Sequence, residues 1–363
     1  MATHTLFRLP HRNGLDAFEP CTENIPTIDR HELLVKVRSV ALNFRDVAIA
    51  TSKYPFPVKD NVVPCSDMMG EVHSVGEAVT GFGPGDKVVV AFDPTTIYGT
   101  VQNWKNGLGG PKDGVLAEYV RISHQAVVKL PESSLTDAQW ASLVCTGSTA
   151  WNSLYGNNPL KPGQTVLFQG MSPINSFHTV LLLTPIGTGG VSLTGLMLAK
   201  AAGAKTIITS SSDEKLEYVK SQYGADYTIN YKETPNWAEE AKRMTGGRGV
   251  DFILENGGSG TIKQSIEAIA FGGVISVIGF LSQAPQEEMP DVAGLALSKA
   301  CIVRGIIIGS KEQLEDLVRF VGSHDLKVPV EKTFGFSKDE VVKAFEYMAS
   351  GQHIGKICIN VSQ

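Results

Sequence analysis

Cysteine is scarce and scattered. The five in 363 residues, Cys21, Cys65, Cys145, Cys301 and Cys358, include no pair at C-x-x-C spacing. That excludes a disulfide framework and a cysteine-rich zinc lobe. No apolar run reaches the roughly 18 residues needed to span a bilayer, and the opening MATHTLFRLPHRNG has no apolar h-region of the kind a secretory signal carries. An excess of positive charge is also missing: 32 Lys and Arg stand against 37 Asp and Glu, a net charge of −5. There is no electrostatic footprint for nucleic acid or an anionic membrane. The expected partner is a small-molecule substrate, with no nucleic acid and no membrane, and the expected location is cytoplasmic. Glycine is plentiful, at 37 residues, in a chain that is 42% apolar. This is an ordinary globular composition with many tight turns, and the length suits two domains.

The rhythm of the chain changes once. Up to about residue 130 it reads as short β segments: HELLVKVRSV at 31–40 alternates, and the turn GFGPGD at 81–86 precedes the apolar run 87–92. Beyond about 135 strands alternate with helices. TVLFQ at 165–169, a helix over 191–202, KTIIT at 205–209 and a helix over 213–222 are followed by strands near 227–229, 251–255, 274–280 and 301–308. Repeated βα units with apolar strands imply a parallel sheet covered on both faces. A helix over 338–350 and a strand over 356–361 close the chain.

The glycine-rich run Gly187-Thr188-Gly189-Gly190-Val191-Ser192 opens the helix at 191. A dinucleotide pyrophosphate must approach backbone N–H groups at a helix N-terminus, where Cβ atoms obstruct it. After the next strand come Ser210-Ser211-Ser212, with Lys215 one turn on. An NAD site usually places a carboxylate there; hydroxyls and a lysine suit a 2′-phosphate, so NADP(H) is expected over NAD(H). Asp213 could supply the carboxylate, and the serines could simply cap the helix. The strand TVLFQ normally runs straight into the glycines, but here Met171–Gly187 intervenes. This run carries Val180-Leu181-Leu182-Leu183 across the turn, and its two glycine edges fit a translated, unspliced intron.

These segments resemble one family. ALNFRD (41–46), SDMMGEV (66–72), GFGPGDKV (81–88), DGVLAEYV (113–120), TGSTAW (146–151), GTGGVS (187–192), GADYTINY (224–231), GRGVD (247–251), GGVISVIGFLS (272–282) and HIGKICI (353–359) follow one another along the chain. In this order they resemble the medium-chain dehydrogenase/reductases, in the zinc-independent quinone oxidoreductase and NAD(P)-dependent alcohol dehydrogenase-like branch. The resemblance implies an α/β fold. A GroES-like β-rich catalytic domain over 1–130, completed by 310–363, would join a Rossmann parallel-sheet domain over 131–309. It also implies a homodimer along the Rossmann sheet edge. Zinc-dependent relatives carry Cys where this chain has Asn43, and Gly-His-Glu near Ser66-Asp67, so no metal is expected. The eight histidines read as surface or packing residues.

Without a Lewis acid, hydrogen bonds or a general acid must polarise the carbonyl. The resemblance points to Asn43 and Tyr54 as donors to the substrate oxygen, and to Asp46 as orienting neighbours or pairing with Arg45. For the cofactor it implies Thr149 beside the carboxamide and Gly187, Thr188, Gly189, Gly190 and Val191 at the pyrophosphate. Ser211, Lys215 and Tyr231 would flank the 2′-phosphate, and Gly279 the nicotinamide. Gly309 and Ser310 would reach the pyrophosphate, and Lys356 a cofactor phosphate. The implied activity is hydride transfer from NAD(P)H to a quinone, enone or related carbonyl. The alternatives are an NAD(P)-dependent alcohol dehydrogenase, a dinucleotide-binding protein without turnover, or an inactive product if 171–187 is truly translated.

Overall fold

The computed structural model describes residues 2–170 and 189–361. The run 171–187, with its intron reading, and the expected cofactor residues Gly187 and Thr188 lie outside them. The described chain divides into two units. The first comprises Met1–Ser148, Ile308–Ala349 and Lys356–Gln363, and the second Thr149–Ile307 with Ser350–Gly355.

The first unit opens with β1 (Thr3–Arg8), β2 (Glu19–Asn24), β3 (Glu32–Ala41), α1 (Phe44–Ala50) and β4 (Asp67–Val75). It continues through β5 (Lys87–Val90), β6 (Tyr119–Ser123), β7 (Val127–Lys129), α2 (Asp137–Ala141) and the start of α3 (Cys145–Tyr155). The second unit holds β8 (Thr165–Gln169), α4 (Gly190–Ala201), β9 (Lys205–Ser210), α5 (Asp213–Tyr223), β10 (Tyr227–Asn230) and α6 (Trp237–Met244). Then come β11 (Val250–Glu255), α7 (Ile262–Ala268), β12 (Ile269–Val277), α8 (Val292–Lys299) and β13 (Ile302–Gly305). The chain returns to the first unit with α9 (Lys311–His324), β14 (Val330–Phe334), α10 (Lys338–Ser350) and β15 (Lys356–Asn360).

In the first unit the sheet runs β14-β15-β3-β4-β5-β7, with β6 also on β3. All pairs are antiparallel except β14 with β15. Alternation in β3 puts Leu33, Val35 and Val37 into the core with Phe7, Phe18 and Phe345. In the second unit the order is β10-β9-β8-β11-β12-β13, wholly parallel. β8 lies inside this sheet and every residue of TVLFQ is buried, as a strand covered on both faces requires. Helix α4 can lie close because residue 195 is glycine: a Cβ there would sit 2.7 Å from the Phe168 ring.

The unit boundary corrects the expected one. The change of rhythm near 130 marks where strands give way to helices, but α2 packs on β3, β4, β14 and β15, burying Ala138, Trp140 and Ala141. Residues 131–148 therefore belong with the β-rich unit, and so do Ile308 and Gly309. In the other direction, Ser350–Gly355 joins the parallel-sheet unit.

Candidate active site

In the parallel-sheet unit, strand order reverses between β8 and β11, the position where open α/β sheets bind ligands at their carboxyl ends. Gly189 caps α4 in extended conformation, φ −71° and ψ 158°, with Gly190 and Val191 in the first turn. The first-turn N–H groups have no partner within the helix and no Cβ at 189 or 190 covers them. The third fingerprint position, Ser192, is buried. Its Oγ donates to the Gln169 carbonyl at 2.7 Å and accepts from Asn256 Nδ2 at 3.0 Å. Here a hydrogen bond performs the strand–helix join that the usual glycine makes by contact.

Under this turn lies a group that the motifs do not reveal. Glu255 ends β11 fully buried. Its Oε1 accepts from Gly257 N at 2.8 Å, Gly258 N at 3.0 Å and Thr261 Oγ1 at 2.5 Å. Its Oε2 accepts from Gln169 Nε2 at 2.7 Å and from Ser265 Oγ. Gln169 Oε1 in turn accepts from Asn256 N and Gly257 N. A second carboxylate, closing the buried strand VDFILE after Asp251, is the signal that could have found it, because an acid in a buried strand must be satisfied from nearby.

Ser211, Lys215 and Tyr231 gather at the ends of β9 and β10, where Tyr231 N donates to Ser210 O at 3.1 Å. Ser212 does cap α5, accepting from Lys215 N at 3.3 Å. Lys215 Nζ donates to Gly351 O at 3.4 Å, and Asp213 accepts from Asn230 Nδ2 at 2.8 Å. A cavity of about 210 Å³ opens beside them, lined by Gln169, Thr209, Tyr231, Trp237 and Thr261 among others. Gly279 follows β12 with backbone so close that a Cβ would meet Asn256 O at 2.4 Å. Thr149 is buried in the second turn of α3, and its carbonyl accepts from Ser153 Oγ at 2.8 Å.

In the β-rich unit the catalytic candidates converge on the start of α1. Asn43 is its N-cap, and Asn43 N donates to Asp46 Oδ2 at 2.8 Å. Asp46 is 2% exposed. Burial pushes its carboxyl up to about 6, with the Arg45 charge and the Asn43 N–H pulling the other way. No ion pair with Arg45 forms among the described residues. Arg45 donates to Leu108 O at 2.8 Å, and its guanidinium lies 5.2 Å from the Tyr54 ring centre and 4.7 Å from that of Phe92. Tyr54 is half-buried and edge-on to Phe56, which stacks on Trp104 at 3.7 Å.

Three buried polar atoms of this four-residue segment have no hydrogen-bond partner among the described residues: Asn43 Nδ2, Arg45 Nε and Asp46 Oδ1. Leaving such a group unpaired costs about 1–3 kcal/mol. Nearby, Asp67 accepts from Ser66 Oγ at 2.7 Å and from Cys145 N at 3.0 Å. Burial, with the Asp67 charge, drives the Cys145 thiol up to about 12, so Cys145 is no nucleophile.

One cofactor expectation, that for Lys356, is corrected by this geometry. Lys356 is 2% exposed and donates to Leu42 O at 2.5 Å and Asn43 Oδ1 at 2.7 Å. Its charge is enclosed by the fold and directed at Asn43, not at an open phosphate position. Ser310 is the N-cap of α9, accepting from Gln313 N at 3.3 Å, and is buried in the β-rich unit. Gly309 beside it packs so closely that a Cβ there would lie 3.1 Å from Ser148 O.

Comparisons with known proteins agree with both units. The family model for the alcohol dehydrogenase GroES-like domain matches residues 29–132, and the zinc-binding dehydrogenase model matches 190–323. A zinc-type alcohol dehydrogenase-like protein of Schizosaccharomyces pombe is 38% identical over 355 residues, covering 96% of each chain. A quinone oxidoreductase-like protein 2 homolog of Nematostella vectensis is 29% identical, over 94% of this chain and 84% of its own. A crystal structure from Sinorhizobium meliloti 1021, assigned as an alcohol dehydrogenase, superposes with a TM-score of 0.86 at 34% identity, covering 99% of this chain and all of that one. With a GroES-like unit, a six-stranded Rossmann-type sheet and these relatives, the chain belongs to the medium-chain dehydrogenase/reductase superfamily and is an NAD(P)H-dependent oxidoreductase.

Proposed function

We propose that this enzyme reduces quinones and conjugated enones with NADPH and without zinc. The observation that carries this reading is the buried Asn43 Nδ2, a fixed donor with no acceptor among the described residues. When bound, the dihydronicotinamide supplies a hydride. The electrophilic carbon accepts it, the displaced electron pair moves onto the carbonyl oxygen, and a proton from solvent or Tyr54 completes the reduced product. Asn43 donates to that oxygen as its charge develops, where a preorganised donor has the largest effect.

The donor set supports the absence of zinc. A carboxamide stands at 43 with its oxygen already held by an ammonium, which repels a dication, and the Asp67 carboxylate already accepts two hydrogen bonds. For the cofactor, Asp213 is engaged by Asn230 and Lys215 lies one helical turn beyond Ser211, which favours a 2′-phosphate over a bare ribose. A lysine facing a phosphate makes a charge-assisted contact, so Lys215→Ala should lower the NADPH-to-NADH ratio of kcat/KM roughly tenfold. The decisive assay offers the purified protein a naphthoquinone, an enone and a primary alcohol with each cofactor. Alcohol-dependent NADP⁺ reduction without quinone or enone turnover overturns the reading in favour of a dehydrogenase. Cofactor binding with no turnover of any of them favours the non-catalytic one.

We also propose a homodimer through the free edge of the parallel sheet. β13 is the terminal strand and none of its residues is buried, while α8 is an apolar helix with no buried residue. Leu297 and Phe271 are 83% and 75% exposed. Leu297→Glu should shift the particle mass measured by light scattering from dimer to monomer.

A further inference from the structure

Lys356 begins β15, which lies inside the sheet of the β-rich unit between β14 and β3. Its side chain therefore starts within the fold, and the ammonium stays there. Buried lysines are rare unless paired, yet the groups that receive this one are two neutral oxygens, Leu42 O and Asn43 Oδ1. The backbone fixes both ends of the contact, because Leu42 N donates to Ile357 O at 2.9 Å and Cys358 pairs with Ala41. An ammonium can only donate, so the atom facing it must be the amide oxygen. Nδ2 is then the opposite end of the same carboxamide, and it is the end without a partner.

We propose that Lys356 is a positioning residue for reduction, holding the Asn43 carboxamide so that only its N–H group is presented to the substrate oxygen. This rests on the reading of Asn43 as the carbonyl donor and deepens it. A free asparagine amide can turn over and present its oxygen, which would oppose the negative charge developing on the substrate. Lys356 prevents that turn. It also draws electron density through the amide, making Nδ2–H a stronger donor, as linked hydrogen bonds polarise one another. Asp46 holds the same residue by its backbone N–H, so Asn43 is gripped at main chain and side chain. The benefit falls on the transition state more than on the ground state, because the substrate oxygen gains charge only as hydride arrives.

The test uses the full chain, NADPH and 1,4-naphthoquinone. Lys356→Met keeps the stem and removes the cation; kcat should fall roughly tenfold to a hundredfold, with KM for the quinone changed less than about threefold. The NADPH Kd, from cofactor fluorescence, should stay within about twofold. In an Asn43→Ala background, Lys356→Met should add almost nothing, since the two act as one unit. Asn43→Asp keeps an oxygen for Lys356 and keeps the fold, yet should lose as much kcat as Asn43→Ala. A weaker NADPH Kd with unchanged kcat, additive losses, or an active Asn43→Asp variant overturns the proposal. A substrate-free readout separates this failure from that of the quinone reading: the ¹H–¹⁵N signals of the Asn43 side-chain amide should move in Lys356→Met. If they do not move, the positioning role falls, whatever the turnover. If they move but the unaltered protein reduces neither quinone nor enone, only the substrate reading falls.

Discussion

Two short segments of this molecule each bury a carboxylate at the end of a regular element, and they treat it in opposite ways. At the end of β11, Glu255 accepts five hydrogen bonds from backbone and side chains. At the start of α1, Asp46 accepts one from Asn43 N through Oδ2, and its Oδ1 has no partner among the described residues. The first arrangement exhausts its hydrogen-bonding capacity on the protein and thereby fixes a loop beside the glycine turn. The second leaves donors and acceptors unspent within four residues. Saturation builds a scaffold; unspent capacity in a buried place is what a ligand can use, at a standing cost to stability.

The contrast is broken most directly at Glu255. Glu255→Ala leaves donors from Gln169, Thr261, Ser265 and two glycines to find other acceptors in a dry site. Losing one partner of such a buried charged network costs about 3–5 kcal/mol, read as a lower urea midpoint. Glu255→Gln, which keeps one acceptor oxygen, should lose less; equal losses would mean that the carboxylate is not what holds the loop. Asn43→Ala should show the reverse profile. Its kcat/KM for quinone should fall about 10²–10³-fold, the usual effect of removing a preorganised donor, while the urea midpoint moves far less than in Glu255→Ala. A large midpoint shift with kcat/KM intact would put Asn43 in the scaffold class.

The scaffold is more legible in the sequence than the site. TVLFQ at 165–169 and the helix at 338–350 coincide with β8 and α10, because a continuous apolar run and a 3.6-residue pattern are local signals. Asn43, Asp46 and Tyr54 are close enough along the chain to be grouped by their motif. Lys356 is misplaced by its motif because its partner is 313 residues away, and only the pairing of β15 with β3 brings them together. Glu255 escapes sequence reasoning for a related reason: its meaning lies in which donors converge on it, and these come from β8, the loop after β11 and α7. Ser310 shows the ambiguity of a single residue type, because serines that bind anions also cap helices, and here Ser310 forms a capping box with Gln313.

A smaller effect follows from the raised carboxyl of Asp46. Its folded value near 6 lies above the unfolded value of 3.8, so the folded state holds the proton more tightly. Between these two values the folded state binds more protons than the unfolded, and stability falls as pH rises. Above pH 6 the penalty is fully present and amounts to something on the order of 2–3 kcal/mol at about 1.4 kcal/mol per pH unit. Asp46→Asn keeps an oxygen for Asn43 N–H and removes the buried charge. It should raise the melting temperature at pH 7.5, do little near pH 4, and flatten the pH dependence between. An unchanged slope from pH 4 to 6 would show that Asp46 is not strained by burial.

The smallest effect is expected where the scaffold is redundant. Ser192 Oγ, Asn256 Nδ2 and the Gln169 carbonyl form a closed triangle: Ser192 donates to Gln169 O, and Asn256 Nδ2 donates to both. Removing the hydroxyl in Ser192→Ala therefore orphans nothing, since Asn256 Nδ2 and Gln169 O still have each other at 3.0 Å. The loss should be that of two ordinary hydrogen bonds with no partner left unsatisfied, about 1–3 kcal/mol, or a few degrees of melting temperature in a chain of this size. The NADPH Kd should move less than about threefold, because the first-turn N–H groups at 190–191 are backbone and the glycine cap remains. The Asn43 segment has no such second partner for its Nδ2 among the described residues, which is why a change of similar chemical size there should cost orders of magnitude in rate. A Ser192→Ala variant that loses cofactor binding tenfold would show that the turn depends on this single hydroxyl, and would place it with Asn43 among the groups whose partner cannot be replaced.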